Sequence, residues 1–462
     1  MLPFAIRLCV VVAAASPAIP LLLSGQESRS TRAAPTTLAI TNVTLVDGLD
    51  TTRREHMTVR ISGSRIVAIG PTRSTSVPLS ARRIDGRGLF AVPGLWDMHV
   101  HLVHRNELPL LLAAGVTSVR DMGSEISMVG PWRDSIEAGT LIGPRIRTSG
   151  PVLESPSSIA DMLVAQRRLG DSSNIAAWRI SVPTPESAAH AVDSVAALGA
   201  DFIKARTYAS TATYFAIAAA ARRRGMRFVG HPPFGLSIDE VAVADSGQHS
   251  LEHGFFPDRV DTLPPSRLQQ IADAYQRGGT VLVPTLTAWE WRTIPYDTFA
   301  HQSVATQCPG LPADVQREVA RRWTEFLYYR RPNPTGAPES AQTLAVWRRV
   351  LDRHFRDLAL LRARGVRILP GTDVPAFVCP GIALNTELEL FVRVLGMTPR
   401  EALRSATLDP AIFFGLQDSL GTIEVGKIAD MVLLDADPMA DIRNLRRVRA
   451  VIAAGKMRMV RR

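Results

Sequence analysis

Lysine is almost missing from this 462-residue chain: Lys204, Lys427 and Lys456 stand against 50 arginines, so the net charge of +10 is carried by guanidinium groups. Those groups are dispersed rather than gathered into a run, and no nucleic-acid motif accompanies them. The charge therefore does not point to a nucleic-acid partner, and none is expected. Cysteine is equally scarce. None of Cys9, Cys308 and Cys379 has a second cysteine or another ligand at zinc-site spacing, which excludes a thiolate metal site. Cys308 and Cys379 could form one disulfide in an exported chain, and the sequence leaves their approach open. No Gly-x-Gly-x-x-Gly follows an early strand, which argues against an open dinucleotide-binding sheet. With 46% apolar residues the chain can fill a proper core, so disorder is not the default reading.

A long membrane-spanning run is absent as well. Met1–Arg7 gives a short basic start, and Leu8–Ala15 is an apolar stretch broken soon after by Pro17 and Pro20. This reads as an export signal over residues 1–25, placing the protein in the periplasm or outside the cell. If the signal stayed uncleaved, it would be the one membrane anchor. Gln26 stands where a lipoprotein would need cysteine, which disfavours lipidation.

Against these absences stands Trp96-Asp97-Met98-His99-Val100-His101, just after Pro93-Gly94. Side chains alternate across a strand, so His99 and His101 point the same way and can meet one metal ion. Four more groups of ligand type lie at or near the ends of apolar runs: Lys204, His231, His253 and Asp373. In a parallel barrel all strand C-termini open on one face, which gathers such a scattered set. Lys204 is a rare amine where composition favours arginine. Buried, it can lose its proton and take up carbon dioxide as an anionic carbamate, which arginine cannot do.

The chain ends carry short alternating strands, with Asp47-Gly48 and Ser62-Gly63 as turns, and residues 37–92 and 417–462 are expected to form one small composite β-sandwich. Between them, over 93–416, apolar runs at 94–102, 117–122, 145–152, 202–206, 227–231, 250–254, 280–285 and 367–373 alternate with helical patterns at 185–198, 214–224 and 238–246. The expected fold class is α/β, a (β/α)8 TIM barrel. A long insertion, 288–342, holds Trp289, Trp291, Trp323 and Tyr328-Tyr329. It reads either as a lid or substrate wall or as an apolar pack against the barrel flank.

Val92–His101, Gly230-His231, Leu251-Glu-His-Gly254, Gly371-Thr-Asp373, Ala406–Pro410 and Leu420–Asp435 occur in order, and on these segments the chain resembles the amidohydrolase superfamily. Within it, the chain is similar to the branch of imidazolonepropionases and metal-dependent Xaa-Pro dipeptidases. The resemblance implies a binuclear site for two divalent ions, zinc the expected metal. His99, His101 and Asp373 would hold one, His231 and His253 the other, with carboxylated Lys204 as the bridge. It also implies attack by a metal-bound hydroxide, with Asp373 passing the proton to the leaving nitrogen. Asp97 shares the strand face of His99 and His101, which fits either an orienting role or a buried structural carboxylate. Arg206 and Tyr208 follow Lys204 and could reach a substrate carboxylate or oxyanion, or stand as wall residues. His104 and His249 read as loop or packing groups, and His56, His190, His301 and His354 lie outside any motif.

The expected activity is hydrolysis of an amide bond in a dipeptide or N-acyl amino acid. The alternatives are hydrolysis of cyclic amides, lactones or other esters, and a non-catalytic barrel that binds a small molecule. Relatives with dipeptidase activity carry Ser-Gly-Gly shortly after the lysine, where this chain reads Ala205-Arg-Thr-Tyr-Ala-Ser-Thr. Peptide specificity is therefore not inherited outright. A homo-oligomer is compatible with the sequence.

Overall fold

The computed structural model describes residues 37–48, 53–169, 178–254, 262–290, 310–330, 341–374 and 378–460, with single residues 293, 304 and 308. The expected signal, residues 1–25, and His301 lie outside these residues. Among the described residues no helix is long and apolar enough to cross a membrane.

The alternating segments at the two chain ends fold into one mixed sheet. Its strands are β1 (Thr37–Leu45), β2 (Arg54–Ser62), β3 (Arg65–Pro71), β4 (Arg82–Asp85) and β5 (Phe90–Pro93) from the N-terminal side. They are joined by β15 (Met431–Leu434), β16 (Val448–Ala453) and β17 (Lys456–Val460). The order is β17-β16-β15-β5-β1-β2-β3, with β4 beside β1. Period-two patterning decides how the sheet is anchored. Met431 and Leu433 of β15 join the sheet's own core with Ile40, Val59 and Ile452, whereas Val432 and Leu434 pack into the larger central core.

The middle of the chain supplies parallel strands buried on both faces, which is why they read as apolar runs. One sheet holds β6 (Leu95–Val100), β7 (Val116–Asp121) and β8 (Arg145–Thr148). The other runs β10-β9-β11-β12-β13-β14, built from β9 (Val152–Glu154), β10 (Arg179–Ser181), β11 (Ile203–Ala205), β12 (Phe228–Gly230), β13 (Gln248–Glu252) and β14 (Val281–Val283). Parallel bridges Leu282↔Ile368 and Val100↔Val374 attach the last segment to β14 on one side and β6 on the other. The fold is thus mixed α/β with parallel strands, and among the described residues the ladders do not close into a continuous cylinder.

Two runs depart from the expected strands. The run 145–152 divides into β8 and β9, which belong to different sheets. Gly150 at φ +57° turns the chain, and Pro151 lacks the N–H a ladder needs. The run 367–373 makes isolated bridges instead of a strand, interrupted at Pro370-Gly371. Helices Pro185–Ala197, Thr211–Arg223 and Glu240–Ser246 begin at side-chain caps from Thr184, Ser210 and Asp239.

In the insertion, helix Ala313–Arg330 contributes Val315, Val319 and Trp323 to an apolar cluster with Val304, Leu311 and both half-cystines. Leu110 packs against this cluster from the segment after β6. A Cys308–Cys379 disulfide ties the insertion to the loop that follows Asp373. Asp314 accepts a hydrogen bond from Asn106 and lies 3.4 Å from His104 Nε2. The insertion therefore has its own packed core and also grips the loops leaving β6 and Asp373. Trp291 and the side chains of Tyr328 and Tyr329 lie outside the described part.

Candidate active site

His99 and His101 lie at and just after the C-terminal end of β6, and Asp373 comes to them through the Pro370-Gly371-Thr372 turn. A Cβ at Gly371 would stand 2.6 Å from both the His99 Cβ and Val283 Cγ1, so only glycine allows this approach. Asp97 fixes the turn from below. Its carboxylate accepts from Thr372 Oγ1 at 2.7 Å, from Thr372 N at 3.1 Å and from His99 N at 3.2 Å. Burial nevertheless pushes the Asp97 pKa up to about 7.

Asp373 Oδ1 lies 3.4 Å from His99 Nε2 and 3.4 Å from His101 Nε2. That is too long for a good hydrogen bond, but ligand atoms around a tetrahedral cation at roughly 2.1 Å are separated by roughly 3.4 Å. The other nitrogen of each ring is already engaged. His99 Nδ1 meets Glu252 Oε2 at 2.7 Å, and His101 Nδ1 donates to the Gly123 carbonyl at 2.8 Å. His99 Nε2 is buried without a hydrogen-bond partner and faces the cluster. A possible metal site is present at His99, His101 and Asp373, whose ligand atoms lie within 4.8 Å of one another. The donor set and the unpartnered nitrogen fit a divalent cation.

His231 and His253 adjoin this group. The ring centroids of His253 and His99 are 4.8 Å apart, and those of His231 and His253 are 4.7 Å apart. His253 Nδ1 is bonded to Thr285 Oγ1 at 2.8 Å. Lys204, on β11, is buried beside them, and its burial lowers its pKa to about 7 despite the charges of Glu252 and Asp373. Burial and then the Lys204 charge hold His99 and His101 below the ordinary histidine value, while for His231 burial and then His253 do so. Asp373 stays below the ordinary carboxylate value because His101, His253 and Lys204 outweigh the effect of its burial. The site thus favours neutral imidazoles and an anionic aspartate, the protonation states that bind metal.

Backbone strain collects here. His253, Thr285 and Asp373 adopt φ of +64°, +51° and +59°, unusual for residues with a side chain. The Thr285 turn is clamped by buried Glu387, which accepts from Leu286 N, Thr287 N and Thr287 Oγ1 at 2.7–2.8 Å. Arg206 and Tyr208 sit nearby and already have partners. Arg206 Nε donates to Glu154 at 2.5 Å and its Nη2 to Ser158 at 2.8 Å, while Tyr208 donates to the His231 carbonyl at 2.9 Å.

Several residues that the motifs did not mark as ligands also shape the site. Glu252 stood inside the Leu251–Gly254 motif as the neighbour of a ligand, and Arg120 was one arginine among 50. His354 packs its ring against Trp289 with centroids 6.1 Å apart, and Trp289 Nε1 donates to the His253 carbonyl at 3.2 Å. No sequence spacing marks a helix residue a hundred positions beyond the strand it supports.

The family model for the Amidohydrolase family matches residues 90–458. The chain belongs to the amidohydrolase family. The imidazolonepropionase of Pseudomonas putida (strain GB-1) is 39% identical over 82 residues, 18% of this chain and 20% of that protein. The chain therefore aligns with only about a fifth of the length of that curated relative. A provisional prolidase from Bifidobacterium longum has a similar structure, with TM-score 0.69, 27% identity and coverage of 92% of this chain and 95% of the other. A Xaa-Pro dipeptidase with methionine bound in its active site gives TM-score 0.68 at 22% identity, covering 91% and 99%. These similarities fall in the imidazolonepropionase and Xaa-Pro dipeptidase branch that the motifs implied.

Proposed function

We propose that this amidohydrolase is an exported, binuclear metal-dependent hydrolase of an amide bond in a dipeptide or N-acyl amino acid. The observation that carries the reading is the buried, unpartnered His99 Nε2 turned toward His101 and Asp373. In this account His99, His101 and Asp373 hold one ion, His231 and His253 the second, and carboxylated Lys204 bridges them. The strand order and the bridges at Val100 and Leu282 support a (β/α)8 barrel with all six groups at its mouth. The composite sheet from 37–92 and 417–462 forms the companion domain, and 93–416 the catalytic one.

Two divalent ions held there would polarise the scissile carbonyl and lower the pKa of a water toward ~7. Asp373 takes a proton from the attacking water as its oxygen bonds to the carbonyl carbon. It then returns that proton to the nitrogen as the C–N bond breaks. Asp97 and Thr372 hold the Asp373 turn through these transfers. Arg206 and Tyr208 line the approach beyond Lys204. Arg206, shared with Glu154, would supply positive charge toward a substrate carboxylate.

The Cys308–Cys379 disulfide supports export, since disulfides persist in oxidising compartments. The test is turnover by metal-loaded protein across Xaa-Pro and other dipeptides, N-acyl amino acids, cyclic amides and lactones. Cleavage of linear amides that disappears on metal removal is expected. Turnover confined to cyclic compounds or esters would overturn the linear-amide assignment, and no turnover anywhere would favour a binding barrel.

A further inference from the structure

Arg120, in β7, is fully buried in the protein interior under the cluster of histidines. Its guanidinium crosses to β13 and donates from Nη2 to both oxygens of Glu252, at 2.8 and 2.9 Å. Nη1 donates to Ser250 Oγ at 2.8 Å, and Nε to the Met98 carbonyl at 2.5 Å. Ser250 Oγ in turn donates to Glu252 Oε1 at 2.5 Å. The remaining lone pair of Glu252 Oε2 meets His99 Nδ1 at 2.7 Å. The rings of Phe413 and Phe202 pack on the guanidinium at 5.5 and 5.9 Å, shutting out water.

We propose that Arg120 and Glu252 are positioning residues of the metal centre, a buried pair that fixes the tautomer and aim of His99. This rests on reading the cluster as a metal site. A carboxylate only accepts hydrogen bonds, so His99 must carry its proton on Nδ1 and present the Nε2 lone pair to the cation. A carboxylate in this apolar interior would be costly alone; the guanidinium supplies the compensating charge, with Nη2 shared between both Glu252 oxygens, and a fixed direction, because Nη1 and Nε are held by Ser250 and the Met98 carbonyl. Lysine offers a point charge without the fork. The aim of a ligand on β6 is thus set by a residue on β7 acting through one on β13.

Glu252→Gln tests this with little change of shape. Arg120 and Ser250 both donate toward the amide oxygen, which turns the amide NH2 toward His99 Nδ1 and selects the opposite tautomer. Metal affinity, measured by chelator competition on the holoenzyme, should fall about 10–100-fold. The visible spectrum of the cobalt-loaded enzyme should change as well. Arg120→Lys should give a smaller fall, and Ser250→Ala should stay near wild type. The metal-free unfolding midpoint provides the fold reference. Glu252→Gln with wild-type affinity and spectrum would overturn the proposal, as would a loss confined to the metal-free midpoint. If Glu252→Gln does not fold, Arg120→Lys decides the matter, and unchanged affinity there overturns the proposal. Wild type that binds no metal would overturn the metal-site reading itself, whereas metal-loaded wild type with equally loaded variants would overturn this inference alone.

Discussion

The floor and the rim of the candidate site are built in opposite ways. The floor, His99 with Asp97, Glu252 and Arg120, consists of residues on strands and strand ends, fully buried and joined by several short hydrogen bonds. The rim, where the insertion meets the loops after β6 and Asp373, depends on one disulfide, one apolar cluster and the half-exposed contacts of Asp314. Strand register leaves the floor little freedom, whereas the rim can vary with loop length and composition. On the proposed reading the chemistry belongs to the floor, and substrate choice to the rim.

Breaking the ligand cluster that the floor carries should have the largest effect. Asp373→Asn keeps the shape but loses the proton acceptor, and we expect kcat to fall about 10²–10⁴-fold in steady-state assays. A fall in KM alone would contradict the role. At the rim, Cys308→Ser should lower the unfolding free energy by about 2–4 kcal/mol, read as a lower midpoint in thermal or denaturant unfolding. Metal content should stay constant, with KM moving more than kcat.

Glu154, at the end of β9, accepts hydrogen bonds from Arg206 and Thr207. Burial would raise its pKa, but Arg206 and Arg179 hold it below the ordinary 4.5. Its stabilising contribution is therefore present above about pH 4.5 and lost as pH falls through the lowered value. The midpoint advantage of wild type over Glu154→Gln should persist from pH 6 to 8 and shrink in acid. The smallest effect is expected for Asp314→Asn, whose partially exposed contacts with His104 and Asn106 are screened by solvent, so the unfolding midpoint should stay near that of wild type. A larger loss, or a change in metal content, would erase the distinction between rim and floor.

The same division governs what could be read in the sequence. The pair His99-x-His101 follows from strand alternation, and Met431 and Leu433 opposite Val432 and Leu434 follow from the same period. Gly371 and Gly230 stand beside ligand-type residues because a Cβ there would strike neighbouring backbone or side chain. Glu252 and Arg120 were invisible because each lies inside a run whose apolar character already explained it, and their partner relation spans 132 positions. The separation of β8 from β9 needed the turn at Gly150-Pro151, which a continuous apolar run concealed. The Cys308–Cys379 pairing was open because nothing in the spacing of two thiols fixes their approach; the packing of Val315, Val319 and Trp323 with both half-cystines accompanies it.

The most direct test of the account is metal content per chain on protein produced with zinc and bicarbonate, comparing wild type with Lys204→Ala. The account predicts about two ions in wild type, falling to one or none in the variant together with amide hydrolysis. One ion or fewer in both, with activity unchanged by the substitution, would contradict it and make Lys204 a structural residue.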